Sequence, residues 1–533
     1  MGAYVDFGVE LNIQFHAMKK YLLLFVLNAA ALSSLQSQPG SLDQSFALQG
    51  NYIFRPNHET VCAESILDSE GKLMLSGWMQ PQDDLNRYPL LARLDADGMP
   101  DVTFGNLGYI DLMGIPQFEE FAYFGTIAQQ SNGKYVALAY NNYDGHQLVR
   151  INSDGVIDNT FSSTPFMLHR AGYYRSMIDS QDRLVVSCFY FPDDNVYQYY
   201  GNMAVIRFSP DGALDLSFGS GGFVMLGNLE NDERCYDVAL DASDNIYVAG
   251  YWSLSPGNGT SAARIYALDT DGELRSDFAA GGVLDVLEPG VYNTFSGLDV
   301  QDDGIIVVSG ARYNPQTFIQ QGMLAKLSST GSPIFSFGTN GVYLSDDTDA
   351  EFRYVTVLSD GNIAVAARVN NADFARDARV SIITADGENL ASFGAQGNSA
   401  LFDVGMGDES PLDILQDEEG RIIMAGSGFA VVENEALGIQ YGSKGFVNRY
   451  MYEATAGLPI DGNSELVIYP NPTSDVLYIK GQGVQSYTII DAHGAKVSSG
   501  ICERNEIPLQ HLSSGMYVLA FSDRQYRFLV ERE

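Results

Sequence analysis

The sequence predicts an all-β chain: a seven-bladed β-propeller closed by its own N-terminal strand, followed by a small C-terminal β-sandwich. Three observations carry this expectation. A short phrase, Asp-Gly, four residues, then Ser-Phe or Thr-Phe, recurs with its Phe at Phe46, Phe104, Phe161, Phe218, Phe278, Phe337 and Phe393. A second phrase in each period places Gly or Asn between apolar runs, the strongest short hairpin signal. The first and last copies of the repeat are incomplete, and each supplies what the other lacks. A near-constant period of this size marks a repeat architecture.

The first 37 residues stand apart. Met18-Lys19-Lys20 precedes an apolar run from Tyr21 to Leu27, and Ala29-Ala30-Ala31 follows. A positive start, an apolar centre and a small-residue end make a secretory signal peptide. The run is too short for a stable membrane span. Residues 1–17 hold no basic residue, so translation is expected to start at Met18, with cleavage near Ser37 and Gln38.

Residues 38–453 carry the repeats. The glycine of the first phrase recurs in register at Gly40, Gly98, Gly155, Gly212, Gly272, Gly331 and Gly387. The second phrase turns at Gly71, Gly133, Asp182, Asn245, Gly304, Gly361 and Gly420. A third phrase places a basic residue five before the first-phrase glycine, as Arg93, Arg150, Arg207 and Lys326. One period therefore reads as four strands: one entering the second-phrase turn, one leaving it, the basic strand, and one carrying the Phe. The second strand, as in Ile305-Ile306-Val307-Val308, is apolar at nearly every position, which implies burial on both faces. Such sheets packed face to face and repeated radially make a propeller. The last unit has its basic strand at Phe446-Val447-Asn448-Arg449-Tyr450 but no Phe strand, and residues 40–46 supply one, so the ends complete a seventh blade.

These phrases resemble the delta-60 repeats of bacterial exported proteins over residues 38–451. The Asp three before the Phe is replaced at Arg275, Ile334 and Leu390 and reads as a turn residue rather than a ligand. The resemblance implies a propeller-like fold and no established activity.

Residues 454–464, with Gly457, Pro459 and Gly462, read as a linker. Residues 465–533 are short alternating strands separated by Gly turns, a small β-sandwich. This segment resembles the type A C-terminal sorting domain of type IX secretion. The motif residues are Tyr469, Pro470, Asn471 and Pro472 at the opening, Gly494 in the central turn, and Gly515 and Tyr517 near the end. The resemblance implies handling by the type IX machinery, removal of the domain, and a secreted or outer-surface location in a Gram-negative bacterium.

The net charge of -37 lies almost entirely in the repeats and disfavours nucleic acid as a partner. Cys62, Cys188, Cys235 and Cys502 show no metal spacing; disulfides and buried thiols both remain open. Gly259-Thr260-Ser261-Ala262-Ala263 has a protease-like look but no accompanying His-Gly or Asp-Thr-Gly segment. Asp95-Ala96-Asp97-Gly98 and Asp269-Thr270-Asp271-Gly272 begin like calcium loops without the closing Glu, and read as hairpins. No catalytic residue, metal site or cofactor is assigned, with Ca²⁺ kept open for the acidic loops.

Alternating connections put both Gly turns of a unit on one end of the sheet and the variable loops on the other. Those loops hold Trp78, Tyr190, Tyr251, Trp252 and Tyr313, and the acidic set Asp346, Asp347, Asp349 and Glu351. Flat aromatic faces suit sugar rings, and carboxylates suit hydroxyls or Ca²⁺. The expectation is a monomeric exported binding or adhesion module for an extracellular glycan or protein, not an integral membrane protein. The alternatives are an exported polysaccharide-degrading enzyme and a scaffold without a small ligand.

Overall fold

A computed structural model describes residues 38–452 and 467–530, except 55–57, 82–85, 113–122, 141–144, 162–165, 168–171, 191–200, 228–230, 254–260, 372–374, 406, 435–437, 470–475, 481–484, 492–495, 503–505, 514 and 521–524. The signal peptide, Ser37 and the 454–464 linker lie outside the described residues. Regular structure in the described residues is entirely β.

The strands fall into successive antiparallel units. The first is Glu59–Leu67, Leu73–Gln80, Tyr88–Leu94 and Tyr109–Asp111. The second is Tyr123–Gln129, Tyr135–Tyr140, Gly145–Ile151 and Phe166–Met167, and the third Gly172–Ile178, Leu184–Tyr190, Asn202–Phe208 and Phe223–Met225. The fourth (Asp232–Leu240, Ile246–Ser253, Ser261–Leu268, Val283–Val286) and fifth (Tyr292–Val300, Ile306–Asn314, Ile319–Leu327, Val342–Leu344) are joined by one parallel bridge, Ser261 to Tyr292. The sixth has Ala350–Val357, Ile363–Asn370 and Arg376–Ile383, with Phe402 and Asn398 bridging its third strand. The last has Ser410–Gln416, Ile422–Asn434 and Gly438–Tyr450, and Asn51–Ile53 from the N-terminal end pairs with Asn448, Val447 and Phe446.

Two expectations are corrected here. The repeat Phe is not on a strand. It sits in a tight turn, and the fourth strand starts five residues later, as Tyr109 after Phe104 and Phe223 after Phe218. The turn bends because Asp101 Oδ1 accepts from the Thr103 N–H and hydroxyl, and Asp215 Oδ1 from Ser217 in the same way. The N-terminal strand that pairs with the last unit is Asn51–Ile53, and residues 40–46 join the same unit through the Leu42–Tyr450 bridge and the Asp43 N–H bond to Arg449 O. The fourth second-phrase turn has its positive φ at Asp244, one residue before Asn245.

The first-phrase glycine is the lock between units. Gly98 has φ +76°, and a Cβ there would stand 2.4 Å from the Phe46 ring of the preceding repeat. Gly212 meets Phe161, Gly272 meets Phe218, and Gly331 meets Phe278 in the same way. Gly40 abuts the backbone of Phe393 and Gly394 rather than the ring, and the Gly394 N–H donates to Pro39 O at 2.9 Å, as Gly105 N–H does to Asp154 O.

The basic strand and the Asp of the first phrase form an ion pair. Arg93–Asp101, Arg150–Asp158, Arg207–Asp215 and Arg449–Asp43 lie at 2.8–2.9 Å. Each guanidinium also covers the repeat Phe, with Arg207 4.4 Å from Phe218 and Arg449 4.5 Å from Phe46. Arg93 reaches on to Ser153 O, and Arg207 to Thr270 O, in the next turn. The Asp is thus more than a turn residue. Where it is lost, the basic partner is lost too in two units, with Arg275 opposite Ala267 and Leu390 opposite Ile382, whereas Lys326 stays opposite Ile334 and reaches Ala385 O instead.

Second strands are buried as expected: Leu73, Met74, Leu75, Val248, Ile306 and Val308 are at most 2% exposed. Each side chain of this kind contributes roughly 1.5–3 kcal/mol. Cys62, Cys188 and Cys235 are buried free thiols pushed upward by burial. Asp95 and Asp269 cap their own turns through the N–H groups of Asp97 and Met99, and of Asp271 and Glu273.

The C-terminal segment forms two antiparallel sheets. One is Val467–Tyr469, Val476–Lys480 and Glu506–Pro508; the other is Lys496–Cys502, Gln485–Asp491, Gly515–Ala520 and Gln525–Val530. Leu477, Ile489, Ile507, Leu519 and Phe528 form its core. Tyr517 is buried with its ring centre 5.8 Å from that of Phe528. Tyr469 lies on the first strand; Pro470, Asn471, Pro472 and Gly494 fall outside the described residues.

Candidate functional site

The aromatic residues expected in the variable loops lie instead on strands, where a unit's second strand ends. Trp78 pairs with Val61, Trp252 with Glu233, Tyr251 with Arg234, and Tyr313 with Tyr292. Tyr190 closes the strand Leu184–Tyr190, opposite Asn202. In the fourth unit aromatics and carboxylates share this end. The Trp252 Nε1–H donates to Asp285 Oδ1 at 3.1 Å, and Arg264 lies 5.0 Å from the indole while gripping Asp285 through two bonds. Glu233 is fully buried beneath, bound by Arg264 at 2.6 Å and by the Tyr266 hydroxyl at 3.1 Å. Burial pushes its carboxyl up to about 7 although Arg264 pulls the other way. In the first unit Arg87 covers Trp78 at 4.2 Å.

The acidic loop after Leu344 does not gather its carboxylates. Asp346 accepts from the Asn389 amide, Asp347 pairs with Arg379, Asp349 is exposed, and Glu351 pairs with Arg353. Among the described residues no group of three His, Cys, Asp or Glu side chains is placed to hold a metal ion.

A second polar centre has no counterpart in the motif reading. Arg175 from the third unit reaches Asp413 at 3.0 Å, Glu64 at 3.5 Å and Asp237 at 3.7 Å, and lies 4.3 Å from the Tyr354 ring. Side chains of five units thus meet at one point. The carboxylates also bind backbone of neighbouring units: Ile127 N–H donates to Glu64, Leu298 N–H to Asp237, and Ser65 N–H and hydroxyl to Asp413. Glu64, Arg175, Asp237 and Asp413 are 3–8% exposed, so the hub offers little surface to a ligand. Burial pushes Glu64 up to about 8 and Asp237 up to about 7, against the attraction of Arg175.

A signal for the hub is present in the sequence. Glu64, Arg175, Asp237, Tyr354 and Asp413 each lie seven residues before the positive-φ turn residue of their unit: Gly71, Asp182, Asp244, Gly361 and Gly420. Each directly follows a β-bulge in the first strand, which turns that side chain towards the common point.

The β-propeller family match agrees with this architecture. Residues 467–531 match the secretion system C-terminal sorting domain, and residues 130–161 match the β-propeller domain of unknown function DUF5122. No curated protein matches the chain. Among solved structures, the polysaccharide lyase Uly1 aligns at 9% identity over 78% of this chain and 98% of its own, with a TM-score of 0.41. The α-L-arabinofuranosidase Arb93A from Fusarium graminearum aligns at 9% identity over 76% and 98%, TM-score 0.38. The GH43 endo-arabinanase from Bacillus licheniformis aligns at 13% identity over 62% and 93%, TM-score 0.31. Likeness this distant says nothing about activity. Fold and sorting domain together define the class: an all-β, propeller-type exported protein. Its sorting domain is that of type IX secretion, which delivers it to the cell surface or the extracellular space.

Proposed function

We propose that residues 38–453 form a seven-bladed propeller, closed by the N-terminal segment, that binds an extracellular glycan at the end carrying Trp78, Tyr251 and Trp252. Closure is supported by the Phe393–Gly40 contact, the Arg449–Asp43 pair and the pairing of Asn51–Ile53. Binding rather than turnover is favoured by one observation. The hub carboxylates are engaged by Arg175 and by neighbouring backbone, while the Trp252, Arg264 and Asp285 group lies at a strand end beside variable loops. Loop variation on a rigid scaffold is where binding usually resides.

The test is to incubate the purified protein with a panel of plant and bacterial glycans, reading retention and cleavage together. Retention without cleavage, weakened by Trp252→Ala at unchanged melting temperature, is expected. Cleavage that Glu64→Gln abolishes would move the reading to a polysaccharide-degrading enzyme. No retention of any glycan would leave the scaffold reading. Residues 465–533 are taken to be removed on export; a secreted form whose intact mass still includes them would contradict this.

A further inference from the structure

The sixth unit carries an unusual charge arrangement at the same end of the strands. Glu351 is ringed by three guanidiniums: Arg353 at 2.8 Å, Arg376 at 3.2 Å and Arg368 at 3.7 Å. Arg368 is shared with Asp408, which lies 3.3 Å away and has 58% of its side chain exposed. Asp347 is taken by Arg379, and Asp377 by the Asn371 amide. Glu409 is buried and pushed up to about 8 by that burial, so at neutral pH it adds little negative charge.

Two carboxylates, one buried and one exposed, thus face three cations, in a chain with 67 acidic and 30 basic residues. Burial alone would raise Glu351, yet the three arginines hold it below its ordinary value. Burial lowers Arg368; Glu351 opposes this, and Arg376 and Arg353 push the same way as burial. The Arg353 Nε atom is buried and has no hydrogen-bond partner among the described residues. The Arg353 guanidinium lies 5.9 Å from the Tyr236 ring, which stacks on Tyr251 at 6.0 Å with an interplanar angle of 30°. One guanidinium of the cluster therefore stands beside a stacked aromatic pair.

We propose that Arg353, Arg368 and Arg376 form an anion subsite that takes the carboxylate of an acidic sugar, whose ring lies against Tyr236 and Tyr251. Guanidinium binds carboxylate through paired, charge-assisted hydrogen bonds, and the aromatic faces supply the apolar contact. The subsite deepens the glycan-binding reading above and rests on it.

Calorimetric titration of the full chain with tetragalacturonate, and with a neutral tetrasaccharide of the same hexose, tests it. The acidic sugar is expected to bind, more weakly as salt rises to about 0.15 M. Arg376→Gln, at a side chain that is 35% exposed, is expected to weaken it about ten-fold without changing the melting temperature. Glu351→Gln removes the competing carboxylate and is expected to tighten binding several-fold, which a purely structural ion cluster would not do. Equal binding of acidic and neutral sugars, lost on Trp252→Ala, would overturn the subsite and keep the glycan reading. Indifference to Arg376→Gln, or weakening by Glu351→Gln, would also overturn the subsite. Failure of both sugars, with no retention of any panel glycan, would overturn both readings.

Discussion

Replacing Arg207 and Asp215 together by Ile and Leu copies the pair that the sixth unit already has at Ile382 and Leu390. The backbone is the same in both places: Asp215 N–H donates to Arg207 O, and Leu390 N–H to Ile382 O, each at 2.9 Å. Arg207 is 1% exposed, 2.8 Å from Asp215, bonded to Thr270 O and stacked on Phe218. Arg207→Ile leaves Asp215 with only the more distant Arg183 at 3.8 Å; Asp215→Leu leaves a buried guanidinium with one carbonyl. Breaking one side of a buried pair costs about 3–5 kcal/mol, and Asp215, with 13% of its side chain exposed, sits near the lower figure. The double replacement restores an apolar pair of the kind that packs in the sixth unit, so its cost is expected to stay near 1 kcal/mol, with a coupling of at least about 3 kcal/mol. Urea midpoints and slopes of the propeller transition for the four proteins give these values. Simple additivity of the single changes would refute the claim that the two residues act as one exchangeable inter-unit clamp.

Phe46→Ala is expected to cost about 3–5 kcal/mol, as much as Phe218→Ala, because both rings are at most 1% exposed and covered by an Arg; calorimetry checks whether the N-terminal copy is an equal member of the repeat. Gly98→Ala is expected to cost about 2–4 kcal/mol, since its Cβ would strike the Phe46 ring. Gly133→Ala, with φ +78° and nothing within 4 Å, is expected to cost only about 1–2 kcal/mol; equal values would remove the Gly–Phe lock from the account. Glu64 and Asp237 carry folded values raised to about 8 and about 7, so the folded protein binds more protons than the unfolded chain between about pH 4 and pH 8. Their contribution to stability is therefore present at low pH and lost as pH rises through that window. Glu64→Gln is expected to flatten the fall in melting temperature between pH 5 and 8, and an unchanged slope would contradict the hub titration.

The period and the turns were legible because glycine at positive φ and a buried Phe leave few alternatives, as at Gly98 and Phe46. The placement of the Phe on a strand failed for a local reason. A Ser or Thr two residues after Asp lets the carboxylate tie a tight turn, seen at Asp101 and Thr103, and this outweighs the β propensity of the aromatic ring. The candidate rim was legible in part. Trp252 is expected in a loop but stands within the second strand, and its partner Asp285 comes from the fourth strand, whose position depends on the turn that holds the repeat Phe. The hub was missed because Glu64, Arg175, Asp237 and Asp413 differ in residue type and share only an offset from the turn. Only a column-wise reading of the repeats would have exposed it, and the bulges that aim these side chains leave no residue signature.

Closure of the ring by the N-terminal segment is tested most directly by taking that segment away and giving it back. A chain beginning after Phe54 lacks the Gly40 contact with Phe393, the Asp43 partner of Arg449 and the strand Asn51–Ile53. Its melting temperature is measured with and without a synthetic peptide spanning residues 38–54. A drop of several degrees that the peptide reverses, and that a Phe46→Ala peptide does not reverse, is the expected result. A truncated chain that melts with the full-length protein, or one that no peptide restores, would contradict closure.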